Sequence, residues 1–156
     1  MATEDGKAAP PFALPDADGK TVDLKTLRGD WVVVYFYPKD DTAGCTAEAK
    51  DFTCLAADFK EAGAIVLGIS PDSPASHRKF QDKYDLGVRL LADEGHTAAE
   101  AYGVWVEKSM YGRKYKGVER ATFLIDKSGK VARSWRKVKV PNHAEDVLAA
   151  VRAMKG

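Results

Sequence analysis

Seven consecutive residues, Trp31 to Tyr37 (WVVVYFY), constrain this chain most: all are β-branched or aromatic, and Pro38 halts the run. A strand that shows one face to water alternates apolar and polar side chains. An unbroken apolar run of this length therefore predicts a strand covered on both faces, at the centre of a sheet. The residues that follow can supply the cover. The loop KDDTAG leads into Cys45–Ala62, where Phe52, Leu55 and Phe59 recur at helical spacing, and Ala64–Ile69 (AIVLGI) reads as a second buried strand. Ser73-Pro74 provides an N-cap and a proline at the first helical position, opening a helix that runs to about Tyr84.

The remaining segments complete the pattern. Val88–Leu91 reads as a short strand and His96–Tyr102 as a short helix. Arg120–Ile125 and Val131–Trp135 read as strands joined through Asp126–Lys130, which carries hairpin-turn residues. Asn142, with Glu145 three residues on, resembles a capping box ahead of a last helix striped with Val147, Leu148, Val151 and Met154. Upstream, Phe12–Leu14 and Thr21–Leu24 flank Asp18-Gly19 and predict a small N-terminal hairpin. Strand and helix alternate first, then a hairpin and a helix follow. Right-handed crossovers turn that order into a central mixed β-sheet with helices on both faces, a thioredoxin-like α/β fold. With 156 residues, 45% of them hydrophobic, and no linker or repeat, the expectation is a single domain over 1–156. Residues 1–10 form a loose arm ending at Pro10-Pro11.

Charge excludes some partners. Lys and Arg number 24 against 23 Asp and Glu, so no global field draws the chain to nucleic acid or to an anionic membrane. Glu4, Asp5 and Lys7 interrupt the start of the chain, and no run of about 18 apolar residues occurs. These features point to a cytoplasmic protein. Its two cysteines, Cys45 and Cys54, are too few for a disulfide scaffold, and any bond between them belongs to transient redox chemistry.

Cys45 follows the central strand and a loop, and falls in the first turn of a helix. Unpaired backbone N–H groups and the helix dipole there stabilise negative charge and favour the nucleophilic thiolate. Pro38, Thr42 and Cys45 form the pattern P-x-x-x-T-x-x-C, which places a hydroxyl beside the sulfur. The motif PKDDTAGC after WVVVYFY, then CTAEAKDF, GISPDSPASHRKF and RATFLID, closely resembles the bacterioferritin-comigratory (Q-type) peroxiredoxins, from about Pro11 to the C-terminus.

The resemblance implies a thiol-dependent peroxidase that reduces hydrogen peroxide and organic hydroperoxides through a sulfenic acid on Cys45. Pro38 and Thr42 match the proline and threonine of the motif, and Arg120 matches the arginine before the RxTFLID strand. In these roles Thr42, Arg120 and first-turn N–H groups stabilise charge as the O–O bond breaks, and Pro38 shapes and shields the pocket. No cofactor is implied. The implied reductant is thioredoxin or a similar dithiol, and the implied state is a monomer, with a weak dimer as the alternative. Glu48, one turn beyond Cys45 on the same side of the helix, is a supporting residue that would orient Arg120 or favour the helix N-terminus.

Two features depart from the family pattern. Ala43 stands where proline commonly precedes Gly-Cys, and Lys50 occupies the position five residues after Cys45 where many members carry a resolving cysteine. Cys54 lies nine residues after Cys45, about 180° around an intact helix and about 13.5 Å along it. A disulfide needs Cα atoms within about 7 Å, so bonding the two would require the first turns to unwind. Cys54 is either a resolving cysteine or an incidental, exposed one.

His77, His96 and His143 are scattered and make no zinc set with the two cysteines, so no metal is expected. MYGRKYKG, basic and aromatic, reads as a solvated loop beside the site rather than a nucleic-acid contact. A disulfide oxidoreductase would need Cys-x-x-Cys, and Glu48 stands at the second cysteine position. The rival of a different class is a noncatalytic thioredoxin-like redox-sensing or binding module.

Overall fold

The structure, a computed structural model, describes residues 4–155. Its frame is a five-stranded sheet in the order β5-β4-β3-β8-β9, built from β3 (Trp31–Phe36), β4 (Ala64–Ser70), β5 (Arg89–Ala92), β8 (Ala121–Ile125) and β9 (Val131–Trp135). The apolar run forms the middle strand, as its composition demands, and every residue of β3 is buried. Helices α1 (Ala43–Cys54) and α2 (Ala56–Glu61) connect β3 to β4, and α3 (Pro74–Tyr84) connects β4 to β5. Such crossovers impose parallel pairing, and both pairs are parallel. Between β8 and β9 the Asp126 carboxylate accepts from Ser128 N–H, Ser128 Oγ and Lys130 N–H, closing a tight turn that makes the pair antiparallel.

Alternation along β3 divides the core. Val33, Tyr35 and Tyr37 join Phe52 of α1, Phe59 of α2, Phe80 of α3 and Val147 and Val151 of α5 (His143–Lys155). Val32, Val34 and Phe36 face the other way. They pack with Ala98 and Ala99 of α4 (Thr97–Ala101), with Phe123, and with Leu14 and Val22 of the N-terminal hairpin, β1 (Ala13–Pro15) and β2 (Thr21–Asp23). Each large apolar side chain buried this way contributes about 1.5–3 kcal/mol.

Four expectations are corrected. The single helix over Cys45–Ala62 is two helices that begin at Ala43 and break at Leu55 (φ −97°, ψ 6°). The break leaves the 52-55-59 apolar spacing intact, so periodicity alone does not register it. MYGRKYKG is not a loop but most of a second hairpin, β6 (Trp105–Met110) and β7 (Arg113–Val118), turned at Tyr111-Gly112 with both φ angles positive. Its outer residues are exposed on both faces, so no apolar alternation marks them. Asn142 precedes α5 at φ 64°, in the left-handed region rather than the extended conformation of a capping-box residue, and its carbonyl accepts from Asp146 N–H. The N-terminal arm is bonded rather than loose from Gly6 onward. Gly6 N–H donates to Val131 O, Val131 N–H to Lys7 O, and Ala9 N–H to Gly129 O. Met1–Thr3 lie outside the described residues.

Candidate active site

The end of β3 delivers the chain through Tyr37 and Pro38 into the loop that starts α1, and Cys45 is the third residue of that helix. The first helical hydrogen bond runs from Thr46 N–H to Thr42 O, so the N–H groups of Ala43, Gly44 and Cys45 have no acceptor within the helix. Thr42 is the N-cap residue, yet its side chain does not cap. Its Oγ1 instead donates to Lys39 O at 2.9 Å, across the loop.

The Cys45 side chain is 2% exposed and its sulfur accepts a hydrogen bond from Arg120 Nη2 at 3.2 Å. Arg120 lies between β7 and β8, and because β8 pairs with β3 it arrives beside the end of the central strand. The other arm of its guanidinium, Nη1, donates to Glu48 Oε1 at 2.7 Å. Glu48, one turn beyond Cys45, is 1% exposed. Burial pushes its carboxyl up to about 7, against the pull of Arg120 in the opposite direction. Burial also works against the charge on Arg120, but Glu48 and Cys45 outweigh it and hold the guanidinium above its ordinary value. A Cβ on Gly44 would sit 3.1 Å from Arg120 Nη2, so the absent side chain is what lets the guanidinium approach the helix start.

Two neighbouring side chains are neutral. The Tyr35 hydroxyl is buried without a partner, and burial, then Glu48 and Cys45, raise its pKa so that it stays protonated. Its ring stacks on Phe52 at 4.7 Å. His143 shares a 2.8 Å hydrogen bond with Thr122 Oγ1, and burial pushes its pKa down to about 4, leaving it neutral at pH 7. Lys108 of β6 is half-buried, and burial, then Arg120, draw its pKa below the usual value, with Cys45 pulling the other way.

Of the residues singled out in the sequence, Cys45, Glu48 and Arg120 meet through direct bonds. Thr42 and Pro38 lie in the adjoining loop, Thr42 exposed and Pro38 half-buried. Cys54, the last residue of α1, is exposed, and both cysteines are free thiols. Tyr35 and Lys108 share the site without having been singled out. Tyr35 is masked by the apolar run that contains it, and Lys108 by a hairpin with no strand pattern. Asp40 and His77, buried and paired at 2.8 Å behind the loop, were also missed. The Asp-Asp doublet ahead of the helix is the signal that could have drawn attention to them. Among the described residues no three His, Cys, Asp or Glu side chains gather as metal ligands, and no helix is long and apolar enough to cross a membrane.

Comparison with known proteins places this geometry. The profile of the AhpC/TSA family matches residues 6–134. The peroxiredoxin Bcp of Bacillus subtilis is 46% identical over 154 residues, covering 99% of this chain and 98% of the relative. That of Escherichia coli K12 is 45% identical over 143 residues, 92% of each chain. Among solved structures, the Xanthomonas campestris bacterioferritin comigratory protein, studied for alkyl peroxide reduction through trapped intermediate and ligand complexes, superposes with a TM-score of 0.92. It is 40% identical and covers 98% of this chain and 100% of its own. Peroxiredoxin Q of the same organism gives 0.89 at 43% identity, over 93% of this chain and 92% of its own. Matched along nearly its whole length to these proteins, the chain belongs to the AhpC/TSA family, within it to the Bcp (Q-type) peroxiredoxins, and is a thiol peroxidase of thioredoxin fold.

Proposed function

We propose that Cys45 is the peroxidatic cysteine, and the observation that carries this reading is the hydrogen bond from Arg120 Nη2 to its buried sulfur. A guanidinium that donates to sulfur favours the thiolate over the thiol. The thiolate attacks the terminal oxygen of a hydroperoxide. An S–O bond forms as the O–O bond breaks, leaving a sulfenic acid on Cys45 and an alkoxide or hydroxide that takes up one proton to become alcohol or water. Arg120 and the free first-turn N–H groups face the charge that develops, and Glu48, gripping the second arm of the guanidinium, keeps the first aimed at the sulfur. The Thr42 hydroxyl spends its hydrogen on Lys39 O, so its lone pairs remain to accept from the substrate O–H. Pro38 shapes the loop around them. Hydrogen peroxide and organic hydroperoxides both fit this chemistry.

The sulfenic acid returns to thiol by reaction with a second thiol. Cys54 is exposed at the far end of an unbroken α1, on a helix position nine residues away, which favours an outside thiol as the resolving group. We assign that role to thioredoxin or a similar dithiol protein acting on a monomer in the cytoplasm, where two free thiols remain reduced. Mass spectrometry after one equivalent of hydrogen peroxide, with a sulfenic-acid trap, tests the assignment. The expected adduct is on Cys45 alone, and a Cys45–Cys54 disulfide would transfer the resolving role to Cys54. Cys45→Ser should abolish turnover, and full activity in that variant would overturn the mechanism.

A further inference from the structure

The loop that carries Thr42 toward Cys45 is fastened from behind by side chains that take no part in the peroxide chemistry. Asp40, 7% exposed, collects three donors: Tyr37 Oη reaches Oδ1 at 2.6 Å, while Ser76 Oγ and His77 Nδ1 reach Oδ2 at 2.7 and 2.8 Å. Its backbone N–H donates to Asp72 Oδ2 at 2.8 Å. The Tyr37 phenol is raised by burial, and further by Tyr35 and Asp40, so it keeps the proton it donates.

His77 has no exposed surface, and its Nε2 lies 2.9 Å from the carbonyl oxygen of Leu91, which can only accept. Nε2 therefore bears a hydrogen. Nδ1 lies 2.8 Å from Asp40 Oδ2 and 3.4 Å from Tyr37 Oη. His77 thus bridges Asp40 Oδ2 and Leu91 O inside the protein, joining the loop to α3 and to β5. The next residue, Asp41, adds an outer pair of bonds to the same helix, accepting from Lys83 Nζ at 2.7 Å and Tyr84 Oη at 2.6 Å.

The two halves of the peroxidase cycle ask opposite things of this loop. A hydroperoxide is small and reacts in the closed arrangement that holds Arg120 against the sulfur. A protein thiol must instead bring its Cα within about 7 Å of that of Cys45, which the buried sulfur does not allow until the loop and first helical turn move out. Resolution then balances as sulfenic acid plus thiol giving a mixed disulfide and water. We propose that Asp40 and His77 are positioning residues that latch the Cys45 loop to α3, setting the balance between the closed, peroxide-reactive arrangement and the open one in which the sulfenic acid is resolved. This inference rests on Cys45 being the peroxidatic residue.

The test measures the two half-reactions separately on the full chain, with Cys45 oxidation by hydrogen peroxide and capture of its sulfenic acid by glutathione each followed by rapid quench and mass spectrometry. Asp40→Asn should slow oxidation and accelerate capture, each by about tenfold, a change in the range expected for a lost hydrogen bond to a charged group. Ser76→Ala, which removes one neutral donor and leaves the Asp40–His77 contact in place, should move both rates in the same directions by about threefold. A merely structural role would slow both steps together. That outcome, or unchanged capture in Ser76→Ala, would overturn the latch even if Asp40→Asn failed to fold. Absence of oxidation at Cys45 in the unmodified protein would instead remove the peroxidatic assignment on which the latch depends.

Discussion

Arg120 reaches Cys45 Sγ and Glu48 Oε1 at once, which needs a flat, forked donor. A lysine carries its charge on one nitrogen and cannot hold both acceptors in this geometry. Arg120→Lys should therefore slow Cys45 oxidation by about tenfold or more in single-turnover kinetics. Gly44→Ala tests the same contact from the other side. Its Cβ would crowd Arg120 Nη2 and slow oxidation, while helix propensity keeps stability level or raises it by up to about 1 kcal/mol. Glu48 leaves a signature in pH. Its folded pKa of about 7 lies above the ordinary 4.5, so the folded state holds the proton more tightly than the unfolded chain. The resulting stabilisation is complete below the ordinary value and is lost as pH rises through about 7. Urea titrations should show the wild type losing stability from about pH 5 to about pH 8 relative to Glu48→Gln, by up to about 3 kcal/mol. Legibility at this scale follows sequence distance. Cys45 and Glu48 share one helix and could be read from its wheel, whereas Arg120 lies 75 residues from Cys45 and only the family resemblance brought it in. His77 acquires its meaning from Asp40 and Leu91, partners that folding alone supplies.

An element is legible in sequence when one of its faces is buried and its ends are chemically marked. β3 and β4 met that condition, as did α3, where Ser73 Oγ accepts from Ser76 N–H as an N-cap should. Ser73→Ala should cost about 1 kcal/mol of unfolding free energy, and since α3 also carries His77, the change tests whether fraying that helix loosens the loop. The hairpin β6–β7 fails the condition, for its turn residue Tyr111 and its neighbours Met110 and Tyr115 are all exposed. The break at Leu55 is silent for another reason. Phe52 and Phe59 contact one another across it, ring centroids 5.7 Å apart, so both halves keep the apolar spacing of one helix. Close packing between elements is equally unmarked. A Cβ on Gly68 of β4 would fall 2.6 Å from Tyr35 Cζ and 2.9 Å from Leu90 Cδ2. Gly68→Ala should destabilise the protein by about 1–3 kcal/mol in chemical denaturation by displacing the ring that borders Glu48 and Cys45.

Across the whole molecule both hydrophobic clusters draw on the same central strand, so neither can dissolve without disturbing the other. Tryptophan fluorescence samples both clusters, since Trp31 and Trp135 belong with one and Trp105 packs on the other. Its unfolding curve in urea should coincide with that from far-ultraviolet circular dichroism. The general architecture was legible because alternating strands and helices leave few right-handed arrangements. The path of the N-terminal segment was not, because its bonds, by backbone at Gly6 and Ala9 and by the Asp16 carboxylate to Arg89, are made to partners distant in sequence. That segment pairs with both outer strands, Ala8 bridging to Lys130 beside β9 and Asp16 bridging to Leu91 of β5. A sheet rim left bare is a template for strands of neighbouring molecules. The same short stretch thus lies against part of both rims while Leu14 fills the core beneath, and proteolytic trimming ahead of Thr21 would be expected to promote intermolecular strand addition as it opens that core.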